Sequence, residues 1–140
     1  LGGFDNRRTY RPTANLCTPG TNVEIDGELR SQHCINSESG TYRPPAWVTV
    51  EVEVHGDEEI VHRVDGKEVM RYQRPQLDPR DPDAKAIIDG RDGELALRRG
   101  WIALQGESHP VEFKSVELQI LPDPKVPAGD QKAPAGDQED

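Results

Sequence analysis

The sequence predicts an all-β domain, an antiparallel β-sandwich of the jelly-roll kind, and three observations carry that prediction. WVTVEVEVHG (47–56) alternates valine with other residues along its length, which is the period of a strand with one face buried. Asp26-Gly27 and Asp65-Gly66 each sit between short apolar stretches, the signature of a two-residue type I′ hairpin. The 140 residues include 12 Pro and 13 Gly, a density of turn formers that predicts many turns and little helix.

Taken in order, LGGFDNRRTYRPTAN (1–15) has no clear period and is read as an arm with at most one short strand. The Asp26-Gly27 hairpin follows, flanked by Cys17 and Cys34. Extending the hairpin ladder makes the two cysteines diagonal neighbours, and a bulge at Pro19-Gly20 would bring them opposite one another. A disulfide is expected at that separation, and with it an oxidising, extracytoplasmic compartment. NSESGTYRPPA is a loop. Next come WVTVEVEVHG, EIVHRV and KEVMRY, read as a three-stranded meander turning at 56–58 and at Asp65-Gly66.

RPQLDPRDPDAKAIIDGRDG, with five Asp and three Pro, reads as a long loop, because Pro interrupts helix and strand interiors. Its aspartates suggest either a solvated acidic loop or calcium, although the EF-hand spacing is missing. ELALRR, WIALQGE and VEFKSVELQIL are expected as three closing strands, the last changing face at a bulge near Lys114-Ser115. The domain is placed at residues 1–121, with about seven or eight strands. Residues 122–140 repeat PAGDQ and have no large apolar residue after Val126, the composition of a disordered acidic Pro/Gly-rich tail.

Composition narrows the partners. The net charge is −9, which argues against non-specific nucleic-acid binding and against docking on anionic lipid. No apolar run approaches the length of a membrane span. There is no GxSxG, P-loop, GxGxxG or HExxH motif. Apolar residues make up only 33%, so the core of a two-sheet fold is expected to be thin.

By strand alternation Trp47, Thr49, Glu51 and Glu53 share one face, and Trp101, Ala103, Gln105 and Glu107 form a similar set. If these faces lined one concave sheet they would form a carbohydrate groove, with Trp stacking on sugar C–H faces and Glu and Gln binding hydroxyls. Ordinary solvated faces of an antiparallel sheet explain the same pattern. His62 lies mid-strand between Ile60 and Val64, His109 lies in the GESHP turn, His33 adjoins Cys34 and His55 ends a strand. Each alone reads more readily as structural than as catalytic.

Three stretches carry a resemblance: CTPGTNVEIDGELRSQHC, WVTVEVEVHGDEEIVHRVDGKEVMRYQRPQLD and GWIALQGESHPVEFKSVEL. Together they resemble the 3-keto-disaccharide hydrolase domain family, from Cys17 to Leu121. The most specific parts are G-x-I-x-L-Q-x-E-S-x-P-V-E-F at 100–113 and H-x-V-x-G at 62–66. The resemblance implies a concanavalin-like jelly roll of the kind common in secreted and periplasmic proteins. This chain looks like the C-terminal portion of such a domain or a shortened member, with part of its sheet open to completion by another chain. A homo-oligomer is therefore a candidate state.

The resemblance also implies a reaction. A 3-keto group acidifies the C2 hydrogen, a base removes it, the C1 substituent leaves by elimination, and water adds. Such a site needs a base that titrates near neutrality and a group to hold the enolate oxygen; a divalent metal is one candidate for the second role. On the motif positions, His109 or His62 would be the base, and Gln105 and Glu107 would orient hydroxyls or ligate a cation. Glu51, Glu53, Trp47 and Trp101 would bind the sugar. A non-catalytic sugar-binding module and an assembly module on the same fold are the alternatives, since fold alone does not decide function.

Overall fold

The computed structural model describes residues 10–43, 45–106 and 110–122. It divides into a unit ending at Ile102 and a second unit beginning at Ala103. Among the described residues the first unit contains every regular element: β1 (Leu16–Cys17), β2 (Thr21–Ile25), β3 (Glu28–Arg30), β4 (Cys34–Ile35), β5 (Val50–His55), β6 (Glu59–Val64), β7 (Lys67–Leu77) and α1 (Pro82–Asp89). The strands form two antiparallel sheets, a pair β1-β4 and five strands in the order β3-β2-β7-β6-β5. The all-β expectation holds, with one short helix added.

The two Asp-Gly turns form as their residues dictate. Asp26 and Gly27 have φ of 54° and 76°, and Asp65 and Gly66 have 48° and 77°, the left-handed pair a type I′ turn requires. They close β2-β3 at Ile25↔Glu28 and β6-β7 at Val64↔Lys67. β5 and β6 pair from Val50↔Val64 to His55↔Glu59. β7 is longer than the sequence reading allowed. It pairs with β6 through Tyr72, then turns at Arg74, where φ is 48°, and pairs with β2 from Gln73 to Leu77. One strand thereby joins both hairpins into a single sheet.

The small sheet packs on one face of the large one. Leu16 of β1 is buried with Val23, Ile60, Met70 and Tyr72, and Ile25 and Ile35 lie against them. Ala14, Val64 and Val69 make a second cluster with Tyr42, Val48 and Val50. Cys17 and Cys34 are disulfide-bonded, with Cα atoms 4.1 Å apart. Their register differs from the expected one. They stand directly opposite each other in β1-β4, a separate sheet, and no bulge is needed to align them.

The stretch read as a long loop is a strand end followed by a helix. Asp81 caps α1, accepting from the backbone N–H groups of Asp83 and Ala84 at 3.0 and 2.9 Å, and Pro82 opens it. Proline's fixed φ and missing N–H suit the first helical position, so here it starts a helix rather than breaking one. Ala84 and Ile88, one turn apart, are buried against Leu77, with Leu95 and Leu97 alongside. Gly20 (φ +70°) permits this packing, since a Cβ there would meet Asp81 Oδ1 at 3.2 Å.

The closing strands do not form as expected among the described residues. ELALRR contributes one bridge, Ala96 to Gln76, with Leu77 and Leu97 N–H groups donating to Leu95 and Pro75 carbonyls. Residues 101–106 and 110–122 have no strand, and a bend stands at Lys114 where a bulge was expected. The tail assigned to 122–140 lies outside the described residues apart from Pro122. No helix among the described residues is long and apolar enough to cross a membrane.

Candidate functional site

The face of β5-β6-β7 turned away from the small sheet is built from charged residues. Cross-strand register sets Glu51 beside Arg63, Glu53 beside Val61, and His55 beside Glu59; β7 adds Arg71 next to Val61 and Glu68 next to Arg63. Residues opposite one another in an antiparallel ladder share a face. Val61, at the centre, is wholly inaccessible, shielded beneath the long side chains of its neighbours.

Glu53 is the hub of one half. Its Oε1 accepts from His55 Nε2–H at 2.6 Å, and its Oε2 accepts from Arg63. These two donors hold the Glu53 carboxyl below its ordinary range, His55 contributing most and Arg63 next. Arg71 is the hub of the other half. It donates to Glu68 from Nε at 2.9 Å and from Nη2 at 2.6 Å, and it also pairs with Glu59. Hydrogen bonds from Arg71 hold the Glu68 carboxyl low, and both glutamates push the guanidinium pKa up. Glu51 has no ion pair among the described residues. The face thus offers carboxylates and guanidinium groups that can accept from and donate to hydroxyls, and a histidine oriented by a carboxylate.

His62 is placed otherwise than a base would be. It is buried on the opposite face. Its Nδ1–H donates to the Ala14 carbonyl at 2.9 Å, and its Nε2 accepts from the Tyr72 hydroxyl at 3.3 Å. A carbonyl only accepts, so these partners fix the tautomer. The Tyr72 ring meets the imidazole edge-on at 86°, and burial pushes the Tyr72 pKa up to about 12, so its hydroxyl stays a donor. The geometry ties β6 to the 13–16 segment and occupies both ring nitrogens.

Of the other expected residues, Glu51 and Glu53 share the polar face, while Trp47 lies before the strand begins and is more than half exposed. Trp101 is fully exposed, and Gln105, in the second unit, is exposed. Glu107 and His109 lie outside the described residues. Among the described residues no three His, Cys, Asp or Glu side chains converge as metal ligands would. Three of the four aspartates of 78–89 have structural partners instead: Asp78 with Arg80, Asp81 with the helix N-terminus, Asp89 with Lys85.

Sequence reasoning passed over Arg63 and Arg71 and treated His55 as an exposed strand end. The parity of His55 already put it with Glu51 and Glu53. The Asp65-Gly66 turn places Arg63 beside Glu68, and Arg71 reaches this face only through the bulge between His62 and Arg63, which moves it from the register of Ile60 to that of Val61.

A family model described as the 3-keto-alpha-glucoside-1,2-lyase-like domain matches residues 3–119. That match starts nearer the N-terminus than the Cys17 expected from the motifs. No curated protein and no solved structure matches the chain.

Proposed function

Because the chain belongs to the 3-keto-alpha-glucoside-1,2-lyase-like family, we propose that it is a carbohydrate-active domain that cleaves 3-keto glycosides by elimination and hydration. The observation that carries the reading beyond the family is the His55–Glu53–Arg63 group on the open face of β5 and β6.

In this reading Glu51 and Glu53 accept hydrogen bonds from sugar hydroxyls and Arg63 faces the C3 carbonyl. His55 donates through Nε2 to Glu53, which leaves Nδ1 to take the C2 proton. The C–H electron pair becomes the enolate, whose charge Arg63 offsets. Collapse of the enolate expels the C1 substituent, which leaves as an alcohol on receiving a proton. Water then adds its hydroxyl to C1 and a proton to C2, releasing the 3-keto sugar. His109 and Glu107 of the GESHP turn are the alternative base and hydroxyl ligand, with Gln105 beside them in sequence. His62, with both nitrogens engaged, serves as a positioning residue. The disulfide supports an extracytoplasmic location.

Incubating the chain with 3-keto-trehalose or 3-keto-lactose and following free sugar tests the proposal. Release lost in His55→Ala and retained in His109→Ala is the expected result. Release lost only in His109→Ala would move the base to the turn. No release from folded protein across several 3-keto glycosides would overturn the enzymatic reading. The second reading, a sugar-binding module, would then lead. It is favoured by the openness of the face, where Glu53, His55, Arg63 and Arg71 are each about a quarter to two-fifths exposed, unlike the enclosed pockets usual for catalysis.

A further inference from the structure

The stretch RDGELALRR (91–99) carries three arginines in a chain whose net charge is −9. It leaves α1 through a tight turn. The N–H groups of Arg91 and Gly93 both donate to the Ile88 carbonyl at 3.0 Å, and that of Glu94 donates to the Arg91 carbonyl at 3.0 Å. The stretch then runs beside β7, where Leu95 and Leu97 pack on the cluster of Leu77, Ala84 and Ile88. Its backbone is therefore held on both sides of Ala96. A cleft of about 550 Å³ is lined by Arg91 and Glu94 from the turn and by Ala96, Leu97, Arg98 and Arg99 from the extended part. Every one of these residues belongs to the first unit.

The lining is short of negative charge. Glu94 is its one carboxylate, and it serves two guanidinium groups, Arg98 at 2.8 Å and Arg91 at 3.6 Å. Arg98 also lies 3.3 Å from Asp57, while Arg99 has no ion pair among the described residues. The two partnered arginines are fixed in place with donors left over. Arg91 gives Nη2 to the Ala96 carbonyl at 3.0 Å, and Arg98 gives Nη1 to Glu94, whereas each guanidinium has five N–H donors. Three such groups around one cleft repel one another, and an anion between them removes the repulsion. Their planar forks match a carboxylate or a phosphate through paired hydrogen bonds. Ala96 and Leu97 add a half-buried apolar wall, and the volume lies in the range of small-molecule sites.

We propose that this cleft binds a small organic oxyanion, a carboxylate or a phosphate carried on a molecule with an apolar face. Arg99, without an internal partner, gives the first fork. Arg91 and Arg98 direct their remaining N–H groups at the same anion, and Ala96 and Leu97 meet the carbon skeleton. Glu94 keeps the two flanking arginines apart and in position. The site is made of different residues from the polar face of β5-β6-β7, and it does not depend on the reaction proposed there.

The test titrates the full chain with glucose 6-phosphate, with glucuronate and with neutral glucose, following backbone amides and arginine Nε–H groups by NMR. The expected result is saturable shifts at Arg91, Arg98 and Arg99 with an anionic sugar and none with glucose, at a Kd on the order of 1 mM for two charge-assisted hydrogen bonds. Response to only one of the two anionic sugars supports the proposal and names the oxyanion. Arg99→Gln, with unchanged circular dichroism, is expected to weaken binding roughly tenfold. Arg30→Gln removes the same charge from β3 and is expected to change it less than about twofold, since screening leaves little of a distant charge. Anionic sugars that bind no better than glucose would overturn the proposal. So would equal losses in Arg99→Gln and Arg30→Gln, or shifts confined to the polar face of β5-β6-β7.

Discussion

Residues 47–72 and residues 101–120 have the same appearance in sequence, apolar residues alternating with polar ones, yet among the described residues the first stretch forms strands and 101–106 and 110–120 do not. In the first, each strand has its partner a few residues away, and Asp65-Gly66 fixes the register of β6 on β7. Val61 is then wholly buried, and Ile60 and Val64 nearly so. In the second, Trp101, Ile102, Val116, Leu118 and Ile120 are 64% or more exposed. Alternation states which face a segment would bury. It does not supply the neighbour that makes a strand, and a strand without a ladder leaves its backbone to water.

Mutation should separate the two regions widely. Ile60→Asp would bury a carboxylate among Leu16, Val23, Met70 and Tyr72 and is expected to cost more than about 4 kcal/mol, enough to abolish the cooperative urea transition. Leu118→Asp is expected to leave that transition, measured on dilute protein, within about 0.5 kcal/mol of the parent. Similar losses at both positions would mean that the two stretches are equally built into the fold.

Reducing Cys17–Cys34 should act on the first region only. The bond closes a loop with a sequence separation of 17, and removing it is expected to cost about 3 kcal/mol, read from denaturant midpoints with and without reductant. β1 and β4 hold only two residues each, so the small sheet and its cover over Val23, Ile60 and Tyr72 should be lost first. Amide exchange in β6 should accelerate more than in β3.

The helix gives a smaller effect. Asp81→Ala removes the cap on two N–H groups and is expected to cost about 1 kcal/mol, with Asp81→Asn restoring most of it. The smallest effect is in pH. Hydrogen bonds from Arg80 hold the Asp78 carboxyl at about 2, below its ordinary 3.8. Its contribution to stability is full above the unfolded value and is lost as pH falls from about 4 towards 2. The low pKa of Glu53 acts with the same sign. Denaturation midpoints between pH 5 and pH 2 should fall less steeply in Asp78→Asn than in the parent.

Local chemistry explains what could be read in advance. Both hairpins follow from Asp-Gly, the disulfide from the cysteines flanking the first hairpin, and the two faces of β5 from its valines. The helix was missed because Pro82 was weighed as a breaker, although Asp81 before it and the Ala84/Ile88 spacing after it are the signs of a helix start. The run of β7 on to Leu77 was missed because Pro75 and the turn at Arg74 hid a strand that changes partner. On the site, Glu51 and Glu53 were legible from alternation alone. Arg63 and Arg71 were not, because cross-strand neighbours depend on register, and the bulge between His62 and Arg63 shifts it.

The most direct test of the account is an amide and side-chain NMR titration of the chain with 3-keto-trehalose, against unoxidised trehalose as control. Shift changes are expected to concentrate at Glu51, Glu53, His55, Arg63 and Arg71, and to be stronger for the 3-keto sugar. Changes confined to residues 101–106 and 110–122, or none at millimolar sugar, would contradict the assignment of the sugar site to the polar face of β5-β6-β7.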